Sequence, residues 1–386
     1  MKVLLTNDEL HEIRGGTQSW TLELATVLLK RGHQIAVFSW LRGSLAEEFE
    51  KADVQILADP SDCPFIPDLI HGQQHLSTMA SICAFPGIPA LYHCHGYAPW
   101  QERPPVHPRI VRYVAISESL VSWIANIANI APEKIAIIPN TYHHERFQKV
   151  RRPPARPRRA AVFGNTKLPG SLLWQVQRGC QKAKLSLDLL GTPFGRPIDR
   201  PEHILPDYDV VFAAGRSAIE AVVSGCWVFP LSPYGCAPPL SPETVASWRF
   251  HNFVVPEGVG SMDARGIFAE LRKWQPRRVQ ATTELMRRES RFELAVDRLE
   301  DIYATLLNEN LNHSQPKVEG IALSNYLTSL AQKVKQADAL TTTLRQQRDK
   351  ARADWKAAKM QISLMEEHYA KLRRRLPRWL MRVLMR

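Results

Sequence analysis

The chain has 386 residues, 45% of them apolar and 23% charged, with a formal net charge of +12. That length exceeds one ordinary hydrophobic core, so two domains and an appendage are expected, and the composition is globular rather than disordered or fibrous. Cysteines 63, 83, 94, 180, 226 and 236 make no CxxC pair and no regular framework, which excludes a disulfide scaffold or structural zinc site as the leading reading and fits a reducing cytoplasm. MKVLLTNDEL reaches Asp8 and Glu9 too early for the apolar core of a signal peptide, and no apolar run long enough to span a bilayer occurs; neither export by that route nor a membrane span is expected.

In chain order, KVLLT (2–6) is a short apolar run. A polar loop with Gly15 and Gly16 follows, and TQSWTLELATVLLKRG then has helical spacing of apolar residues. QIAVFSW (34–40) returns to strand character. Strand, glycine loop, helix, strand opens a parallel βαβ unit, and DLIHG (68–72), IPALYH (88–93), VRYVAIS (111–117) and KIAIIPN (134–140) continue the alternation. Residues 1–148 therefore form a Rossmann-like, doubly wound α/β domain. KVRRPPARPRR (149–159), with three prolines and six basic residues, cannot pack as a regular element and reads as a solvated linker. The alternation restarts with RRAAVFG (158–164), a helix from about Leu168, LSLDLLG (185–191), YDVVFAAG (208–215), the helix GRSAIEA and CWVFPLS (226–232). Residues 160–310 are expected to form a second Rossmann-like domain with mainly helical sequence at its end.

The stretch GRSAIEAVVSG raises the sharpest chemical question. From Val210 to Pro242 only Arg216 and Glu220 carry charge, and an unpaired buried carboxylate is costly. Gly15 and Gly16; His95 and Gly96 in PALYHCHG; Ser117 and Glu118; Pro139 and Asn140; Gly164 and Lys167 in VFGNTK; and Glu220, Ala221 and Gly225 follow one another in an order that resembles the GT-B glycosyltransferases of glycosyltransferase family four. The resemblance spans roughly residues 1 to 310. It implies two Rossmann-like domains facing across a cleft, an acceptor-side N-terminal domain, a nucleotide-sugar domain at 160–310, and retention of anomeric configuration without a metal or other cofactor. It also implies a donor site of Gly15, Gly16, Gly164, Lys167, Gly215, Arg216, Ser217 and Glu220, with His95 and Lys167 as catalytic residues.

The chemistry suits these residue types. A nucleotide-sugar donor leaves as a diphosphate, and peptide N–H groups at a helix N-terminus with a nearby cation stabilise that charge without a metal. Gly215, Arg216 and Ser217 begin such a helix, and Lys167, with Arg216, supplies cations. Glu220, one turn on, offers two acceptor oxygens to the vicinal hydroxyls of a ribose; the alternative is an i, i+4 pair with Arg216 and no ligand. Departures from the family are Phe212 where a donor-sugar glutamate is common, FAAG in place of EGFG, and Thr141 and His143 after Asn140. They mark a divergent branch, and they keep open a non-catalytic scaffold of the same fold. A GT-B-like sugar-nucleotide epimerase is a third reading.

Other signals carry less. His93 and His95, with His71 and His75, read as hydrogen-bonding residues before metal ligands, and Asp207 and Asp209 in DYD read as a strand cap before a metal motif. Gly15 and Gly16 lack a dinucleotide fingerprint. No stacking aromatics interleave the linker's arginines, so a nucleic-acid partner is not expected.

From Ile321 to Leu376 there is neither glycine nor proline, and a ladder at alternating spacings of four and three runs from Leu323 through Leu344, Trp355 and Met365 to Leu376, interrupted only by the polar Thr341 and Arg348. Residues 321–376 therefore read as a coiled coil about 84 Å long through which copies of the chain are expected to form a homo-oligomer; the alternative is a single helix folded back on the globular domains. Residues 371–386 carry seven basic and no acidic side chains interleaved with Leu, Trp, Val and Met, a pattern suited to an anionic membrane surface. The whole chain is expected to be a cytoplasmic hexosyltransferase, peripheral on the cytoplasmic face of a membrane, acting on a glycan or glycolipid.

Overall fold

The computed structural model describes residues 1–10, 16–97, 100–309 and 316–375, with side chains to Lys371. Gly15 and most of the basic end at 376–386 lie outside these residues. Chain contacts divide the protein into two units, residues 1–319 and 320–386.

The first unit contains two parallel sheets. Strands β1 (Lys2–Thr6), β2 (Gln34–Phe38), β3 (Gln55–Leu57), β4 (Leu69–Gly72), β5 (Ala90–Cys94), β6 (Ile110–Ala115) and β7 (Ile135–Ile137) lie in the order β3-β2-β1-β4-β5-β6-β7. Every neighbouring pair is parallel. Their near-continuous Val, Leu and Ile content follows from burial on both faces. The second sheet comprises β8 (Arg159–Phe163), β9 (Ser186–Leu190), β10 (Val210–Ala213), β11 (Trp227–Ser232) and the short β12 (Gly235–Cys236), ordered β9-β8-β10-β11-β12. Only the β11–β12 pair is antiparallel.

In each sheet the strand order reverses once, between β1 and β4 and between β8 and β10. Loops leaving the carboxyl ends of such strands diverge and leave a crevice, which is where open α/β sheets bind ligands. The loops after β1, β8 and β10 carry Gly16, Gly164 and Gly215.

The end of the second domain differs from the expectation of 160–310. Helix Phe292–Asn308 returns to the first domain, where Phe292, Val296, Leu299, Tyr303 and Leu306 join Trp20, Leu24 and Leu28 in one core. Its apolar stripe drives this return, since each fully buried Leu or Val contributes about 2 kcal/mol. The helix is fastened by Glu300, which accepts from His33 Nε2 at 2.7 Å, and by Asp297, which meets Arg31 at 2.8 Å.

The linker is likewise less solvated than its composition suggests. Asp209, almost wholly buried, accepts from the Arg158 and Arg159 backbone N–H groups at 2.7 and 2.9 Å, and pairs with the Arg151 guanidinium at 2.5 Å. Here the DYD sequence anchors the linker and the start of β8. Gly225 has a left-handed φ of 94°, and a Cβ there would lie 2.3 Å from the Arg151 carbonyl oxygen; this glycine of the family pattern seats the linker.

Helix Pro316–Arg375 runs for 60 residues. Within residues 320–371 its apolar ladder is exposed at Leu327, Val334, Leu344, Trp355, Ile362, Met365 and Tyr369.

Candidate functional site

A cleft of about 720 Å³ opens between the two sheets, lined from the first domain by Gly16 and Ser19 and from the second by Asn165, Gly215, Ser217 and Glu220. Helix Gly215–Val223 points its N-terminus into it. Gly215 adopts φ of 58°, a left-handed conformation favourable to glycine, and donates its N–H to the Asn252 carbonyl at 2.9 Å. Asn140 donates to the Asn252 side-chain oxygen at 2.8 Å, so the Pro139–Asn140 segment supports the same turn.

Glu220 is buried and holds Arg216: its Oε1 accepts from Arg216 Nε at 3.0 Å. The i, i+4 pair is therefore present, but inside the cleft wall rather than on a solvated face. Arg216 also reaches the first domain, donating to Glu23 Oε1 at 2.5 Å. Arg146, another lining residue, lies 3.5 Å from Glu23 and 2.8 Å from Glu202. Burial pushes the Glu220 carboxyl above its ordinary value, opposed by the charges of Arg216 and Arg146. Burial alone would lower Arg216, but Glu23 and Glu220 outweigh it and keep the guanidinium charged.

The other expected residues divide. Gly16, Gly164, Gly215, Arg216, Ser217 and Glu220 all line the cleft. Lys167 is exposed on the loop whose neighbours Asn165, Thr166 and Leu168 line it, and has no ion-pair partner among the described residues. Phe212 is fully buried in β10, its ring 4.9 Å from that of Phe229, and contributes to the cleft floor where the family glutamate is common. Ser117 caps helix Glu118–Ala128, its Oγ accepting from Leu120 N at 3.3 Å.

His95 is not a lining residue of this cleft. Its ring stacks on His93 with centroids 4.2 Å apart and meets Trp20 edge-on at 5.1 Å. Burial, then the Arg216 charge, pushes its imidazole down to about 3, so it is neutral at physiological pH. Burial likewise pushes His71 down to about 3; its Nδ1 meets the Tyr303 hydroxyl at 2.5 Å. These histidines make an aromatic cluster with Trp20. Among the described residues no group of three His, Cys, Asp or Glu is arranged to hold a metal ion.

Sequence reasoning passed over Glu23, Arg146 and Glu102. Glu102 is buried, accepts from His95 N–H at 3.4 Å and from Thr17 Oγ1 at 3.5 Å, and so ties the His95 loop to the start of helix Gly16–Lys30. Burial is the main cause that raises its carboxyl to about 7. Tyr92 holds the segment by donating to the Glu102 carbonyl at 3.1 Å. An acidic residue set between Pro99 and Pro104 was the available signal.

The family model described as Glycosyltransferase Family 4 matches residues 14–146, which is the first domain. No curated protein matches the chain. Among solved structures, a glycosyltransferase from Rickettsia africae ESF-5 is 15% identical, with a TM-score of 0.57 over 79% of this chain and 98% of that one. Anabaena Alr3699/HepE in complex with UDP and glucose is 11% identical, with a TM-score of 0.53 over 79% and 100%. The lipopolysaccharide outer core galactosyltransferase WaaB, in its apo form, is 12% identical, with a TM-score of 0.50 over 79% and 100%. With two parallel sheets facing across a cleft, the chain has the GT-B fold and resembles glycosyltransferase family four as a divergent member.

Proposed function

We propose that the protein is a glycosyltransferase that moves a hexosyl group from a nucleotide-sugar donor to a glycan or glycolipid acceptor. The observation that carries this reading is helix Gly215–Val223, whose N-terminus opens on the cleft with a buried carboxylate, Glu220, one turn along. The Arg216 and Ser217 N–H groups of that turn suit a diphosphate, the Gly215 N–H being taken by Asn252, and Lys167 on the neighbouring loop supplies a cation. Glu220 receives the donor ribose, which requires Arg216 to lean on Glu23 while the hydroxyls take one carboxylate oxygen. Donor chemistry of the UDP-hexose class is supported by the complex of HepE, and a glycolipid acceptor by the activity named for WaaB. Retention of configuration and independence of metal belong to the same reading. In the same reading His95 acts on the acceptor side as a neutral imidazole, on a loop whose main chain Glu102 holds.

The exposed ladder of helix Pro316–Arg375 supports self-association as a coiled coil, and the basic sequence from Lys371 onward supports attachment to an anionic, cytoplasmic membrane face. No helix among the described residues is long and apolar enough to cross a membrane.

A non-catalytic scaffold is favoured by one observation, Phe212 in place of a donor-contacting carboxylate. Thermal-shift screening of nucleotide-sugars followed by product analysis separates these readings. Binding with sugar transfer supports the transferase, binding without turnover the scaffold, and an epimerised donor the sugar-nucleotide epimerase.

A further inference from the structure

Four charged side chains flank the apolar ladder of the long helix without an ion-pair partner of their own. With Leu327, Val334, Ile362 and Tyr369 in one heptad core position (a) and Leu330, Leu344 and Met365 in the other (d), Lys333 and Asp354 fall at position g, and Asp338 and Lys359 at position e. Among the described residues none of these four makes an ion pair within the chain; Lys333 bonds Gln336 at 3.2 Å, and Lys359 lies 5.2 Å from the Trp355 ring centroid. Resting on the self-association reading above, we propose that residues 323–372 pair with the same segment of a second copy as a parallel, in-register dimer.

The charge pattern selects the orientation. In a parallel coiled coil a g residue faces the e residue five positions later on the partner. Lys333 then meets the partner's Asp338, and Asp354 the partner's Lys359. Two-fold symmetry doubles each bridge, and no acidic or basic g–e pair of like sign opposes them between residues 333 and 366. An antiparallel pair sets e against e. There Arg345, Arg352 and Lys359 form a basic run that faces itself. Opposite charges at these flanks favour one partner and orientation over others.

Arg348 selects the number of strands. It occupies an a position, and its guanidinium already turns aside to Asp349 at 2.8 Å. A long cation can leave the seam of a two-stranded coil along its stem, whereas a three-stranded core encloses it. The cost in stability is offset by register, because a slip of one heptad sets one Arg348 against Trp355 and longer slips set it against Val334 or Ile362.

The result for function is avidity. Parallel pairing brings two copies of the basic sequence after Ala370 to the same end, so one membrane contact raises the effective concentration of the second.

The test uses the full chain with Cys63→Ser and Cys83→Ser, since these two thiols are the accessible ones. Leu330→Cys and Met365→Cys are introduced singly, and mass is read by light scattering before mild oxidation. The expected result is a mass of two chains and rapid disulfide linkage of each variant with itself. A monomer overturns self-association altogether; a dimer in which neither variant links with itself overturns the parallel, in-register orientation. In parallel, Asp338→Lys with Asp354→Lys should loosen the dimer by about tenfold, and adding Lys333→Asp with Lys359→Asp should restore it. Unchanged dimerisation across that series contradicts the bridges. None of these readouts uses sugar transfer, so their failure leaves the enzymatic reading untouched.

Discussion

Arg216 and Glu23 meet at 2.5 Å although 193 positions separate them in sequence. The pair joins the helix that opens the first domain to the helix that opens the cleft in the second. It fastens the two domains to each other through a side chain of the proposed donor site.

Removing Arg216 leaves Glu23 and Glu220 buried with one fewer counter-charge. Arg216→Ala should destabilise the protein by about 3–5 kcal/mol, the range for breaking a buried pair from one side. Glu23→Gln keeps a hydrogen-bond acceptor and should cost about 1–2 kcal/mol. Denaturant titration at neutral pH checks the order; equal effects contradict a bridge centred on Arg216.

In the proposed donor site, Lys167 is assigned to the donor diphosphate rather than to its nucleoside. Lys167→Ala should reduce turnover of a nucleotide-sugar at least tenfold, the effect of losing a charge-assisted contact worth about 1.5–3 kcal/mol. Binding of the nucleoside alone, measured by calorimetry, should hardly change. Parallel losses in both would remove the phosphate assignment.

Glu102 gives a pH dependence of known sign. Burial raises its carboxyl to about 7, whereas an unfolded glutamate ionises near 4.3. Between these values the folded protein retains a proton that the unfolded chain releases. This contribution to stability is complete below about pH 4 and is lost as pH rises through 7, amounting to on the order of 4 kcal/mol. Glu102→Gln should therefore flatten the stability profile between pH 5 and 8 and be more stable than the parent at pH 8. Asp8, Gln74, Thr17 and His95 face this carboxyl, so the substitution should also show whether the His95 loop depends on it.

The basic end should act at a membrane and nowhere else. Each Lys or Arg near an anionic surface contributes roughly 1 kcal/mol before entropy reduces the total. Deleting residues 371–386 should abolish co-sedimentation with anionic liposomes and leave turnover on a soluble acceptor analogue nearly intact. Equal sedimentation of truncated and full-length protein points to a protein partner instead.

The expected strands, from KVLLT to CWVFPLS, all formed, because fully buried parallel strands write themselves as apolar runs between glycine loops. The short β3 and β12 did not stand out, being three and two residues long. Helix Phe292–Asn308 was legible as a helix, but its return to the first domain was not: an amphipathic stripe states that a face is buried and leaves the partner unnamed. The cleft helix was legible for the same reason that Glu220 was conspicuous, a carboxylate in an apolar stretch. Its partner Arg146 was not, since it lies in ordinary charged sequence; Glu23, the one charge between Arg14 and Lys30, was as conspicuous as Glu220, but its partner across the domains was not readable. Gly225 and Asp209 were legible as special positions, and the structure gives both to the linker.

The most direct test of the account is calorimetry of a nucleoside diphosphate with the parent protein and Glu220→Gln. Loss of about 1.5–3 kcal/mol of affinity in a variant of unchanged fold is predicted, the range for a hydrogen bond to a charged group. Unchanged affinity in that folded variant would contradict the donor site as drawn.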